Sequence, residues 1–238
     1  MADMKNALAQ LGVSVEEDTA KELEAYLALL IEWNGKMDLT SVKDDQMIER
    51  HFADSLKPLS LEAFFPKDGT LIDVGTGAGF PGLPIAIARK DMRVTLLEAQ
   101  GKRCQFLKAV VEALQLSNVF VVNDRAENLG RKEDHREQYD AAVARAVAPL
   151  NILAEYLLPF VKTGGHALCW KGPAAEEERL DGDAAARKLG GKLLAEIPVS
   201  LPGVDRVLVP IFKNEKINPQ YPRKNGIPAK RPLKADKT

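Results

Sequence analysis

A chain of 238 residues, 45% of them hydrophobic, is long enough to bury a full core as one large domain with an appendage. No run approaches the roughly 18 apolar residues of a membrane span, and the opening M-A-D-M-K-N-A-L-A-Q lacks a signal peptide's apolar core, so a cytoplasmic address without membrane contact is expected. Two cysteines, Cys104 and Cys169, point to buried thiols, with no disulfide framework and no metal site. The net charge of −1 hides an asymmetry: eight Lys and Arg against two acids give residues 213–238 a charge of +6, which leaves −7 for the rest. A basic end on an acidic body is one way to grip phosphates.

The first 66 residues read as a helical extension. Ser14 and Glu17 have capping-box spacing, and Leu23, Tyr26, Leu27, Leu30 and Ile31 then recur with helical period, Gly35 being the expected stop. The segment W-N-G-K-M-D-L-T-S-V follows, then a second helix over roughly Asp45 to Leu59 that carries Arg50, His51, Asp54 and Ser55. His51 and Asp54, at i and i+3, suit either a surface ion pair or the rim of a ligand cleft.

After Pro66 strands alternate with helices, which predicts a mostly parallel sheet covered on both faces over 67–213. The organising stretch is T-L-I-D-V-G-T-G-A-G-F-P-G, from Thr70 to Gly82, a buried strand, a glycine turn and a helix start. Gly77, Gly79 and Gly82 fit the dinucleotide pattern G-x-G-x-x-G, which a nicotinamide-dependent reductase would use. The better frame is acid-x-G-x-G-x-G, with Asp73, Gly75, Gly77 and Gly79. A carboxylate at the strand's carboxyl end suits an ammonium group, hence S-adenosylmethionine rather than NAD. A Cβ at Gly77 is expected to exclude that ligand.

The second strand, Val94 to Leu97, closes on Glu98, 19 residues past Gly79, where this architecture places a carboxylate against a ribose diol. A helix from Gly101 to about Leu116 begins with Lys102 and Arg103, cations at the end its dipole disfavours, so an anionic partner is plausible. The third strand, Val119 to Val122, leads to N-D-R-A-E-N, whose Asp124, Ala126 and Glu127 are candidates for an adenine edge. Loop 131–138 is highly charged and expected to be exposed. Strand four, Tyr139 to Ala144, ends on Arg145 and strand five, His166 to Trp170, ends on Lys171, both at the rim where open parallel sheets bind ligands. A charged helix over Ala174 to Leu189 carries no chemistry. Strands near Leu193–Val199 and Arg206–Phe212, turned by Pro202-Gly203, close the sheet. The tail 214–238 interleaves Arg223, Lys224, Lys230 and Arg231 with Pro and Gly, an irregular cationic loop with Tyr221, Ile227 and Leu233 as anchors. With His51, Lys102, Arg145 and Lys171 these cations are expected to hold a phosphate-rich partner, and loss of the tail to spare the cofactor.

Together and in order, D-V-G-T-G-A-G-F-P-G, W-N-G-K-M-D-L-T-S-V, R-H-F-A-D-S-L and Y-P-R-K-N-G-I-P-A-K-R-P-L resemble the bacterial small-subunit ribosomal RNA guanine-N7 methyltransferases, also called the glucose-inhibited division protein B family. Asp38 departs from the pattern, standing where that family usually has asparagine. The resemblance implies a class I S-adenosylmethionine-dependent methyltransferase fold, Rossmann-like with a seven-stranded sheet, acting on a guanine of 16S ribosomal RNA as a monomer. It carries the cofactor contacts onto Gly75, Phe80, Ala126, Glu127 and Arg145, of which Phe80 is owed to the resemblance alone. Guanine N7 holds a lone pair and no proton, so no catalytic base is expected. A non-enzymatic RNA-binding adaptor is the remaining rival, disfavoured by the presence of Asp73, the glycines and Glu98 together.

Overall fold

The computed structural model describes residues 3–172 and 175–235. Its sheet is built outward from β1 (Thr70–Val74), which pairs in parallel with β2 (Arg93–Glu98) and with β4 (Tyr139–Arg145). Parallel pairing continues to β3 (Val119–Asn123) on one side and β5 (Val161–Lys171) on the other. Beyond β5, β8 (Val207–Lys213) runs antiparallel, and β6 (Gly191–Leu193) and the two-residue β7 (Ile197–Pro198) both pair with β8. The order β3-β2-β1-β4-β5-β8-β6 reverses between β1 and β4, and such a reversal opens a crevice at the strands' carboxyl ends.

Successive side chains of a strand point to opposite faces, and the apolar runs use both. Leu71, Val94, Leu96 and Val143 join a core with Leu23, Tyr26 and Leu30 of α2 (Glu17–Met37), Ile85 of α4 (Gly82–Ala88) and Phe106 of α5 (Gly101–Ala113). Ile72, Val74, Leu97 and Ala142 join another with α7 (Leu150–Leu157) and α8 (Ala175–Lys188).

Several sequence expectations need correction. The chain also forms α1 (Met4–Gln10), capped by Asp3. Ser14 does not cap α2; the preceding residue is an extended Glu16 without a capping side-chain bond. That helix passes through Gly35 and stops at Asp38, which takes the left-handed conformation at φ 50°. Ile31 is exposed. The second helix changes pitch along its length, from a 3-10 turn at Asp44–Gln46 through a π-helical Ile48–Ala53 to α3 (Asp54–Leu56) and a second 3-10 turn, Lys57–Ser60. Residues 51–56 are all buried there, between the sheet rim and the N-terminal helices. The strand expected over Leu193–Val199 is split in two. The chain turns aside at 194–196, where the Arg179 guanidinium donates to the Leu194 carbonyl (3.1 Å). Ala174, the expected start of α8, and Asp236 and Lys237 of the tail lie outside the described residues.

Lys213 does not belong to the basic tail. It is fully buried at the end of β8, where its ammonium donates to the carbonyls of Leu158 (3.3 Å) and Leu189 (3.2 Å) just past α7 and α8. It thus satisfies carbonyls that helix ends leave without partners. Burial, opposed by Glu137, pushes its pKa down to about 8.

Candidate cofactor cleft

The turn after β1 folds as its composition requires. Gly75, Gly77 and Gly79 have φ of +71°, +62° and +104°, a region that a Cβ disfavours. A Cβ on Gly79 would also strike Leu83 and come within 2.8 Å of the Tyr26 hydroxyl. At Gly77 nothing lies within 4 Å, so the protein constrains that position by conformation alone and leaves the space in front of it open.

Asp73 is completely buried beneath this turn. Its Oδ2 accepts hydrogen bonds from the Thr76 hydroxyl (2.6 Å) and the Gly82 amide (2.8 Å), while Oδ1 is buried without a partner. Burial raises its pKa from 3.8 to about 6 against the help of those two donors. A buried carboxylate oxygen with no donor is costly, and an ammonium group would supply what it lacks.

Glu98, at the end of β2, accepts from the amides of Gly77 (2.9 Å) and Gln100 (2.8 Å), which ties the second strand to the turn. Beside it opens a cleft of about 270 Å³ whose walls include Gly75, Ala126, Glu127, Val147, Tyr156 and Ala229. The expected Gly75, Ala126 and Glu127 thus meet in one cavity at the carboxyl edge of the sheet. Val147, from the loop after β4, and Tyr156, from α7, were not foreseen. The place of Val147 just past the end of an inner parallel strand was the available signal. Ala229 carried none.

Phe80 and Arg145 stand apart from this wall. The Phe80 ring stacks on His51 (centroids 4.4 Å apart) and on Tyr26 (5.3 Å), with the Arg145 guanidinium 5.1 Å from its centroid. Arg145 donates to Asp54 Oδ2 (2.7 Å) and the Arg50 carbonyl (3.1 Å), and its Nη2 lies 3.1 Å from His51 Nδ1. Asp54, itself 1% exposed, is shared with Arg206 (3.3 Å). His51 and Asp54 do not form a surface ion pair with each other, since both are buried and each is bonded elsewhere. Because a guanidinium can only donate, His51 Nδ1 accepts, and Nε2 then donates to the Thr40 hydroxyl (2.8 Å). Burial, reinforced by Arg145, pushes the His51 pKa down to about 3, so His51 is neutral at physiological pH and offers no charge to a phosphate.

The other expected RNA contacts divide into two groups. Lys171 pairs with Glu178 (2.7 Å) and Arg223 with Glu155 (2.6 Å), so both charges are answered within the chain. Lys102, Lys224, Lys230 and Arg231 are exposed, and among the described residues none of them is paired with a carboxylate. Loop 131–138 is not simply exposed: Arg136 donates to the Gly130 (3.0 Å) and Tyr221 (2.7 Å) carbonyls, and Arg131 to that of Pro222. Among the described residues no cluster of His, Cys, Asp and Glu could hold a metal, and no helix is long and apolar enough to cross a membrane.

Residues 19–201 match the family model described as rRNA small subunit methyltransferase G. The chain belongs to that family. It is 43% identical over 97% of its length to "Ribosomal RNA small subunit methyltransferase G" of Alkaliphilus metalliredigens, covering 98% of that protein. The protein of the same name from Leuconostoc citreum is 43% identical, with 96% of this chain and 97% of the relative covered. Among solved structures, M. jannaschii TYW2 in complex with AdoMet aligns with a TM-score of 0.50 at 18% identity, over 67% of this chain and 76% of that one. The Methanococcus jannaschii fibrillarin pre-rRNA processing protein aligns with a TM-score of 0.51 at 17% identity and the same shares. These two share the fold.

Proposed function

We propose that this protein transfers a methyl group from S-adenosylmethionine to N7 of a guanine in 16S ribosomal RNA, as a monomer and without a general base. Membership of the family makes the reaction a methyl transfer to small-subunit rRNA. The observation that carries the cofactor is the unpartnered, buried Oδ1 of Asp73 under a glycine turn that leaves open space in front of Gly77. Asp73 would hold the ammonium group, the main chain of residues 75–79 would take the close approach, and Glu98 the ribose hydroxyls. Ala126 and Glu127 would flank the adenine. The cofactor supplies an activated methyl on a sulfonium, with a thioether as leaving group.

What remains for the chain is positioning. Guanine N7 needs no deprotonation, so holding it in line can supply several kcal/mol, about 7 to 11 at best. His51 is a poor proton acceptor, with its pKa pushed down to about 3 and both nitrogens bonded. The Arg145–Asp54 pair locks the His51 segment against β4 and Phe80, which fixes the rim over which the base must enter. In A-form RNA the N7 edge lies in a groove too narrow for side chains, so the target guanine is in a loop or is unstacked. Lys102, Lys224, Lys230 and Arg231 are the cations free to hold the surrounding phosphates.

Isothermal titration with S-adenosylmethionine and with NADH, followed by transfer of labelled methyl to 16S rRNA in intact small subunits, tests this proposal. Binding of S-adenosylmethionine with labelling of the RNA supports it. Binding of NADH alone would return the glycine turn to its dinucleotide frame.

A further inference from the structure

The C-terminal tail is folded onto the molecule, with different chemistry on its two sides. Its base is fixed by Arg223, whose Nη2 and backbone amide donate to the buried Glu155 at 2.6 and 2.8 Å and whose Nη1 donates to the Arg231 carbonyl (2.7 Å). Three residues on, Gly226 takes φ +77° and its amide donates to Glu127 Oε1 (2.8 Å). The chain then forms α9 (Ile227–Lys230), which buries Pro228 and sets Ala229 in the wall of the cofactor cleft. The same stretch displays Lys224, Lys230 and Arg231 outward.

We propose that residues 223–231 form a two-sided clamp: on the inner side Ala229 completes the cofactor cleft and Gly226 holds Glu127 of its wall, and the outer cations take rRNA phosphates, so that RNA contact strengthens cofactor binding. The inference rests on the rRNA substrate proposed above. Its physical basis is that Glu127 faces the cleft and is held by the tail, so any ligand that fixes the tail fixes a cleft residue. Coupling of this kind is reciprocal and typically worth about 5- to 150-fold in affinity. It also replaces the sequence-based expectation that losing the tail spares the cofactor.

The test uses the full chain and titration calorimetry with S-adenosylmethionine, with and without saturating 16S rRNA. Without RNA, Ala229→Phe should weaken cofactor binding by roughly tenfold or more, and the smaller Ala229→Leu less, both with unchanged thermal unfolding of the free protein. The triple variant Lys224→Glu, Lys230→Glu, Arg231→Glu should bind the cofactor alone as the natural chain does. Saturating rRNA should tighten cofactor binding about fivefold or more in the natural chain and leave the triple variant unmoved. Unchanged binding by both Ala229 variants, no tightening in the natural chain, or full tightening in the triple variant would overturn the clamp. Failure of the natural chain to methylate rRNA would instead overturn the substrate proposal, leaving the Ala229 result to be read on its own.

Discussion

Replacing Asp73 by asparagine should leave the free protein at least as stable and damage the loaded one. The shift from 3.8 to about 6 means that ionising this buried carboxyl costs the folded state about 3 kcal/mol at neutral pH, at 1.36 kcal/mol per unit. The sign is that of a raised carboxyl: its contribution is fully present below about pH 4 and is lost as pH rises to about 6. In Asp73→Asn the amide oxygen still accepts from Thr76 and Gly82, while the NH2 takes the place of the unpartnered oxygen at a penalty of about 1 to 3 kcal/mol. The two effects nearly offset at about pH 7, so urea unfolding should find the variant at least as stable as the natural chain. From about pH 7 down to about pH 4, however, the natural chain should gain about 3 kcal/mol relative to the variant. Cofactor binding should behave oppositely. Losing a charge-assisted contact to an ammonium is worth about 1.5 to 3 kcal/mol, a weakening of roughly 10- to 150-fold by calorimetry. In the natural chain affinity should fall about tenfold per pH unit below pH 6, as Asp73 takes up a proton. Parallel pH–stability curves for the two proteins, or unimpaired cofactor binding by the variant, would refute the assignment of the buried oxygen.

Arg223→Ala removes the guanidinium from the buried Glu155, leaving it only the backbone amide of residue 223, and should cost about 3 to 5 kcal/mol in urea unfolding, with the tail newly open to limited proteolysis. Asp38→Asn places a residue that better tolerates the left-handed conformation at the end of α2, and should raise the melting temperature by about 1 °C. Methylation by that variant that is unchanged, rather than increased, would show that Asp38 serves this chain without an amide-specific contact. The single-turnover rate of methyl transfer should be flat between about pH 6.5 and 8.5, because His51 stays neutral across that range; a titration near neutrality that disappears in His51→Gln would contradict this.

How much of this was legible in the sequence depends on the range of the interaction that decides each feature. The glycine turn and its flanking elements are local: Asp73, Gly75, Gly77 and Gly79 impose a strand end and left-handed backbone whatever surrounds them, and they are found so. The rim positions of Arg145 and Lys171 followed from strand order. Their charge partners did not, since Asp54 lies 91 residues from Arg145 and meets it only once β4 and α3 come together. Tail residues 223–231 read as an irregular loop because Gly and Pro weaken local structure. Their order comes from Glu155 and Glu127, contributed by distant elements. Lys213 misled for the same reason, as a lysine at the end of an apolar strand and the start of a basic tail fits either, and only the carbonyls of Leu158 and Leu189 decide between them.

The identity of the methylated atom is the most direct test of transfer to guanine N7. Small subunits lacking the modification, incubated with this protein and S-adenosylmethionine, can be stripped to 16S rRNA, digested to nucleosides and analysed by mass spectrometry against authentic standards. New 7-methylguanosine is expected as the sole product; a methyl on a ribose, on an exocyclic amine or on another ring nitrogen, or no methyl at all, would rule out transfer to N7.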